Sequence, residues 1–144
     1  MRETQIMMAL FGVTPDDLKK ITQIALSKGG DYADLYFEYS TANELSLRDG
    51  EVNSASSHID YGMGVRVLSG DRTGYAYTEV TTMEEMVKAA KAASAIASQK
   101  GNSNKLENIN ITPLSKKGRG YYPVKKSWEE VNILSKAPFL QQLN

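Results

Sequence analysis

The sequence predicts an α+β domain, a largely antiparallel sheet of about five strands with two helices packed on one face. Three observations carry this expectation. From Tyr61 to Thr78 the residues alternate by two on either side of Ser69-Gly70-Asp71-Arg72, a short glycine-containing connection of the kind that closes a β-hairpin. Asp49-Gly50 separates two further strand-like runs, and both central residues of the favoured two-residue turn need positive φ, which this dipeptide tolerates. Two segments, 14 to 28 and 82 to 99, combine helix-start chemistry with apolar residues at helical spacing.

The first helix begins at Thr14-Pro15-Asp16-Asp17: a capping hydroxyl, proline at the first helical position, and acids in the positive first turn. Val13 and Leu18 occupy the two positions of a hydrophobic staple. Leu18, Ile21 and Ala25 form the inward stripe with Ile24 beside it, while Lys19, Lys20 and Gln23 face water. Lys28 and the Gly29-Gly30 pair supply a basic end and a left-handed stop. Strands are expected at Ala33 to Ser40, with Leu35, Phe37 and Tyr39 on one side, and at Asn43 to Arg48, with Leu45 and Leu47. After Asp49-Gly50 the return strand, Glu51 to Tyr61, is unusually polar, which suits an edge strand or the lining of a wet groove. The Tyr61–Thr78 hairpin follows, with Met63, Val65 and Val67 on one face. Thr81 with Glu84, or Thr82 with Glu85, then offers overlapping capping boxes for a helix whose Met83, Met86, Val87, Ala90, Ala93 and Ala97 share a face. Gly101-Asn102 ends it.

These elements give one domain over residues 14–101, preceded by a segment 1–13 that suits a short helix. Residues 102–144 read as an irregular extension, with one short alternation at Ile109 and Ile111. Its last residues, Ser135 to Asn144, resemble the first turns of an amphipathic helix, as though a further domain follows.

Composition excludes several function classes. Seventeen basic residues balance seventeen acidic ones, so no global field draws the chain to nucleic acid or anionic lipid. There is no cysteine, which rules out disulfides and thiolate metal sites and is compatible with a reducing compartment. The apolar run Ile6 to Val13 falls far short of the roughly 20 residues that span a bilayer. It lacks a small-x-small cleavage signal as well, so the expected location is cytoplasmic.

Candidate chemistry is sparse. Ser56, His58 and Asp60 share one strand face at roughly 6.5–7 Å between neighbouring Cα atoms, a spacing that just allows a Ser-His-Asp relay. No glycine elbow presents the serine, however, and collinear residues seldom converge on a substrate. His58 is the only histidine, and no H-E-x-x-H helix is present, so a zinc site would draw its other ligands from Asp and Glu alone. Glu38, Glu44, Asp60, Asp71 and Glu79 are explained by solubility, since nothing brings two together. Gly62-x-Gly64 enters a strand instead of a helix, which fits a bend or a close backbone approach better than a dinucleotide fingerprint. Arg66 alternates with apolar neighbours and is expected to pair with a carboxylate such as Glu38 or Glu44, or to contact a partner. Ser115 to Lys126 holds Lys116, Lys117, Arg119, Lys125 and Lys126 with Tyr121 and Tyr122, which reads as a solvated or interdomain loop or, alternatively, a single-strand nucleic acid contact. The residues named as substrate or partner contacts are Ser54, Ser56, His58, Asp60 and Arg66. No catalytic or metal residue is assigned.

Asp34-Leu35-Tyr36-Phe37-Glu38, Asp49-Gly50 with Val52, and Gly62-Met63-Gly64-Val65-Arg66 leading to Thr73-Gly74-Tyr75-Ala76-Tyr77, followed by the alanine-rich helix, resemble the N-terminal domain of the TldD/PmbA family. The resemblance covers about residues 14 to 100 and leans toward the TldD side. It implies the front part of an intracellular zinc metalloprotease whose H-E-x-x-x-H motif lies downstream, outside these residues. It further implies a peptide substrate and a PmbA (TldE)-like partner subunit in a homo- or hetero-oligomer; the balanced charge and the missing apolar span, for their part, argue against a nucleic acid or membrane partner. The alternative reading is a stand-alone binding module, a modulator of DNA gyrase or a nucleic acid contact through 115–126.

Overall fold

The structure, a computed structural model, describes residues 2–98, 125–126 and 130–143. Its elements run α1 (Arg2–Phe11), α2 (Pro15–Leu26), β1 (Tyr32–Arg48), β2 (Glu51–Ser69), β3 (Arg72–Thr78), α3 (Met83–Ala97), a 3-10 turn (Ile133–Ser135) and α4 (Ala137–Leu143). The sheet is antiparallel in the order β1-β2-β3. Among the described residues it therefore has three strands where about five were expected. Ser40-Thr41-Ala42 contains no proline or glycine and continues as strand alongside β2, so the two short strands expected at 33–48 are one, and Gly62 carries the backbone straight through, which fuses the next two. The chain divides into two units, residues 1–39 with 60–111 and residues 40–59 with 112–144.

In the first unit the core gathers Phe11 and Val13, Ile21 and Ala25 of α2, Met63, Val65 and Val67 of β2, and Met86, Ala90, Ala93 and Ala97 of α3. Its small residues let backbones meet. Gly74 of β3 lies directly under α3, where an added Cβ would run into the Ala93 carbonyl oxygen. Phe11 stacks on Tyr61 and tilts against Phe37, both at 5.1 Å between ring centroids, which ties the end of α1 to the sheet.

The start of α2 is built as its residues dictate. The Thr14 hydroxyl accepts from the Asp17 N–H at 3.2 Å, and the Asp17 carboxylate accepts from the Thr14 N–H at 3.0 Å and hydroxyl at 2.7 Å. Those bonds hold the Asp17 carboxyl below the usual carboxylate range, first through the Thr14 hydroxyl and then through its N–H. A depressed folded-state pKa adds stability above the unfolded value and loses it as pH falls through the folded one. Loss of the capping hydroxyl in Thr14→Ala is expected to cost about 1 kcal/mol at neutral pH, the usual worth of an N-cap. The deficit should shrink in strong acid, and chemical denaturation at both conditions measures it.

Past α2, Gly29 takes the left-handed φ of 90°, as expected of a helix stop, while the helix ends early enough to leave Lys28 beyond it. Asp31 then ties the connection to the hairpin: its N–H reaches the Leu68 carbonyl at 2.8 Å, and its carboxylate accepts from the Gly70 N–H at 2.8 Å. Two residues, Gly70 and Asp71, join β2 to β3, with Ser69 opposite Arg72 and Gly70 at φ 54°, as a glycine-first hairpin turn requires. Neither capping box of α3 forms. Thr82 is the N-cap without a side-chain bond, the Thr81 hydroxyl is instead held 2.5 Å from the Tyr61 hydroxyl, and Glu85 and Glu84 both turn to Lys88. α3 closes at Ala97, and Gly101-Asn102 lie outside the described residues.

In the second unit Asp49 and Gly50 adopt φ of 53° and 78°, the double positive φ that their sequence predicts. Gln141 of α4 donates to the Gly50 carbonyl at 3.0 Å. The helix read into the last residues is the seven-residue α4. Ile109, Ile111 and residues 115–124 lie outside the described residues. No described helix is long and apolar enough to cross a membrane.

Candidate functional site

All five contact residues named from sequence fall on β2 at even positions, Ser54, Ser56 and His58 on one face of it within the second unit and Asp60 and Arg66 within the first. Ser54, Ser56 and His58 belong to the second unit, in a stretch where every residue from 51 to 60 is exposed. Ser56, His58 and Asp60 stay collinear, and an exposed row gives none of the water-excluded, convergent geometry that acyl transfer needs. β3 pairs with β2 only from Met63 opposite Thr78 to Ser69 opposite Arg72. Glu51 to Gly62 therefore has β1 on one side and, among the described residues, no strand on the other. β2 is thus the middle strand of the sheet, yet among the described residues Glu51 to Gly62 has no strand paired to its second edge. Its side chains there are small and polar, Asn53, Ser54, Ala55, Ser56 and Ser57, and would leave an approaching main chain room to pair.

Arg66, in the first unit, pairs with Asp34 of β1 and not with Glu38 or Glu44. Its Nε donates to Oδ1 at 3.1 Å and its Nη2 to Oδ2 at 2.5 Å, a two-pronged contact that the planar guanidinium favours. The Asp34 carboxylate raises the Arg66 pKa still further by hydrogen bond and then by charge, with Tyr32 adding to it. Sequence could not select Asp34 because that choice depends on the β1–β2 register. The available signal was parity: Asp34 alternates with Leu35 and Phe37, which pack against the core.

The glycines beside Arg66 do allow close approach. At Gly62, φ 156°, a Cβ would meet the Thr78 carbonyl oxygen, and Gly64 lies under the Tyr75 ring, with the hydroxyl 2.8 Å from an added Cβ. That arrangement covers a strand glycine with an aromatic neighbour. It also reveals a feature the sequence reading missed, an open sheet face carrying Tyr32 and Tyr36 of β1 and Tyr75 and Tyr77 of β3 around the Arg66–Asp34 pair.

Among the described residues no three His, Asp or Glu groups gather where one ion could bind, and the whole chain has one histidine and no cysteine.

Comparison with known proteins gives the family. Residues 33–97 match the family profile described as PmbA/TldA metallopeptidase domain 1. The chain is 38% identical over 93 residues to the metalloprotease TldD homolog of Haemophilus influenzae, covering 61% of this chain and 19% of that protein. It is 32% identical over 113 residues to the metalloprotease TldD homolog of Buchnera aphidicola subsp. Schizaphis graminum, covering 74% and 22%. Similarity extends to metalloprotease MJ0996 of Methanocaldococcus jannaschii, 32% identical over 81 residues, covering 56% and 18%. The chain thus spans about a fifth of the length of these relatives. Because the matched span contains the core strands, the central hairpin and the alanine-rich helix, the chain belongs to the TldD/PmbA family as its N-terminal domain.

Proposed function

We propose that this chain is the non-catalytic N-terminal part of a TldD-like zinc metalloprotease of the cytoplasm, shaping the peptide chamber and a subunit contact while residues outside it cleave the peptide. The observation that carries this reading is the span of the match: it is the family's first domain, about a fifth of the relatives' length. The donor chemistry is in keeping with it: the chain has one histidine and no cysteine, and among the described residues no three His, Asp or Glu side chains gather. In this reading α2 and α3 cover one face of the sheet, a PmbA (TldE)-like subunit is the partner, and the open edge of β2 near Ser54 to Asp60 receives an extended segment of substrate or partner.

The test uses a full-length relative such as the Haemophilus influenzae homolog. Lysines placed at the positions aligned with Ser54 and Ser56 are expected to lower kcat/KM for an unstructured peptide by about tenfold, the loss of roughly one good contact. Zinc content should stay unchanged. Unaltered turnover together with unaltered subunit assembly would remove the contact role.

A further inference from the structure

We propose that Asp49 is a self-modification site: its side-chain carboxyl closes onto the Gly50 amide nitrogen, and the ring reopens to leave an isoaspartyl linkage at the tip of the β1–β2 hairpin. This inference does not depend on the peptidase reading.

The chemistry needs no enzyme. The Gly50 nitrogen attacks Asp49 Cγ, a C–N bond forms, the nitrogen gives up its proton and the carboxyl its hydroxyl, and one water leaves. The product is a five-membered succinimide. Water then adds to one of its two carbonyls. Opening at Cγ restores aspartate, whereas opening at the former main-chain carbonyl carries the backbone through Cβ and leaves the α-carboxylate pendant. Composition is unchanged overall, so no oxidant, reductant or other co-reactant is consumed.

Three features of the second unit meet at this residue. The next residue has no side chain, and a Cβ added at Gly50 would meet nothing within 4 Å, so the nitrogen is approachable. The Asp49 side chain is 95% exposed, and its contact with Arg48 Nε is long at 3.9 Å and itself in solvent, which leaves the carboxyl able to rotate. The turn spares the nitrogen: Asp49 and Gly50 are its two central residues, so the bond that closes such a turn belongs to the N–H of Glu51. Other aspartates lack this combination. The Asp17 carboxylate is held by Thr14, that of Asp31 by the Gly70 N–H at 2.8 Å, and that of Asp34 by Arg66. Asp71 is the close comparison, exposed and in the other two-residue turn, but Arg72 follows it, carries a side chain and begins β3 opposite Ser69. The product alters the hairpin. An extra main-chain atom breaks the pair of positive φ, 53° and 78°, on which the two-residue turn depends, and shifts the Gly50 carbonyl that accepts from Gln141 at 3.0 Å.

The full chain, aged for weeks at neutral pH below its unfolding temperature, tests this. An isoaspartyl-specific carboxyl methyltransferase with an isotopically marked methyl donor reports the linkage, and peptide mapping by mass spectrometry locates it. Methylation at Asp49 is expected to exceed that at Asp71 by about tenfold or more, the effect of having no side chain beside the attacking nitrogen. Asp49→Asn closes the same ring with ammonia as the leaving group, and asparagine tolerates the left-handed region as aspartate does, so this variant should keep the turn and lose ammonia at position 49 faster than the parent isomerises. Equal methylation at Asp49 and Asp71 overturns the proposal. So does methylation that appears only in chain aged in denaturant, or an Asp49→Asn chain that keeps its amide.

Discussion

Gly74→Ala is expected to destabilise the domain by about 3 kcal/mol, the upper end of what overpacking costs. A Cβ at this position would overlap the Ala93 carbonyl oxygen and come within 2.8 Å of the Ala97 nitrogen and 2.9 Å of the Ala93 carbonyl carbon. Those atoms are helix backbone, so no rotamer change makes room. α3 must lift off β3, and Ala90, Ala93 and Ala97, now almost wholly buried, lose their close fit. A contrast within the same hairpin makes the prediction specific. At Gly64 the added methyl meets the outer end of the Tyr75 side chain, which is half in solvent and free to swing, so Gly64→Ala should cost much less. Thermal unfolding is expected to show Gly74→Ala about 10 °C or more below the parent. Equal losses for the two alanines would mean that α3 does not rest on Gly74 as described.

Ile21→Ala should have a comparable effect, about 4 kcal/mol within the range for large-to-small core changes. Ile21 is completely buried in the cluster with Val65, Val67 and Met86. Several neighbours in that cluster are alanines, which have no longer rotamer with which to fill a vacated volume, so much of the cavity persists. Ile24, on the same helix but only partly buried, should lose less on truncation. Urea denaturation of both variants decides the order. A loss at Ile21 no larger than at Ile24 would contradict the placement of the core.

Much of this architecture is legible in local chemistry. Thr14-Pro15 with Asp17, the Gly29 stop and the Asp49-Gly50 turn each encode their conformation within a few residues, and each takes the form its residues dictate. What sequence could not give depends on distant partners. Strand count failed because a polar run such as Ser40-Thr41-Ala42 looks like a break, but continues as strand when β2 lies alongside. The capping boxes of α3 failed because Tyr61, twenty residues earlier, holds the Thr81 hydroxyl that one of them needs. The Arg66 partner was misjudged for the same reason: parity limits the candidates to one face of β1, and only the register selects Asp34. The tyrosine face was hidden because the alternation of Tyr75 and Tyr77 reads equally well as a row pointing into a core.

The contact residues were legible as a row on β2 but not as a site. Their period places Ser54, Ser56 and His58 together on one strand face, whereas the edge beside them has no paired strand among the described residues because β3 stops at Thr78.

The division of labour proposed for this chain is tested most directly by asking whether it cleaves anything itself. The purified chain, supplied with zinc and an unstructured peptide, is expected to leave the peptide intact by mass spectrometry and to retain less than one equivalent of metal after dialysis. Cleavage that follows the chain through purification, with stoichiometric zinc that is lost on His58→Ala, would place the chemistry in these residues and contradict the account.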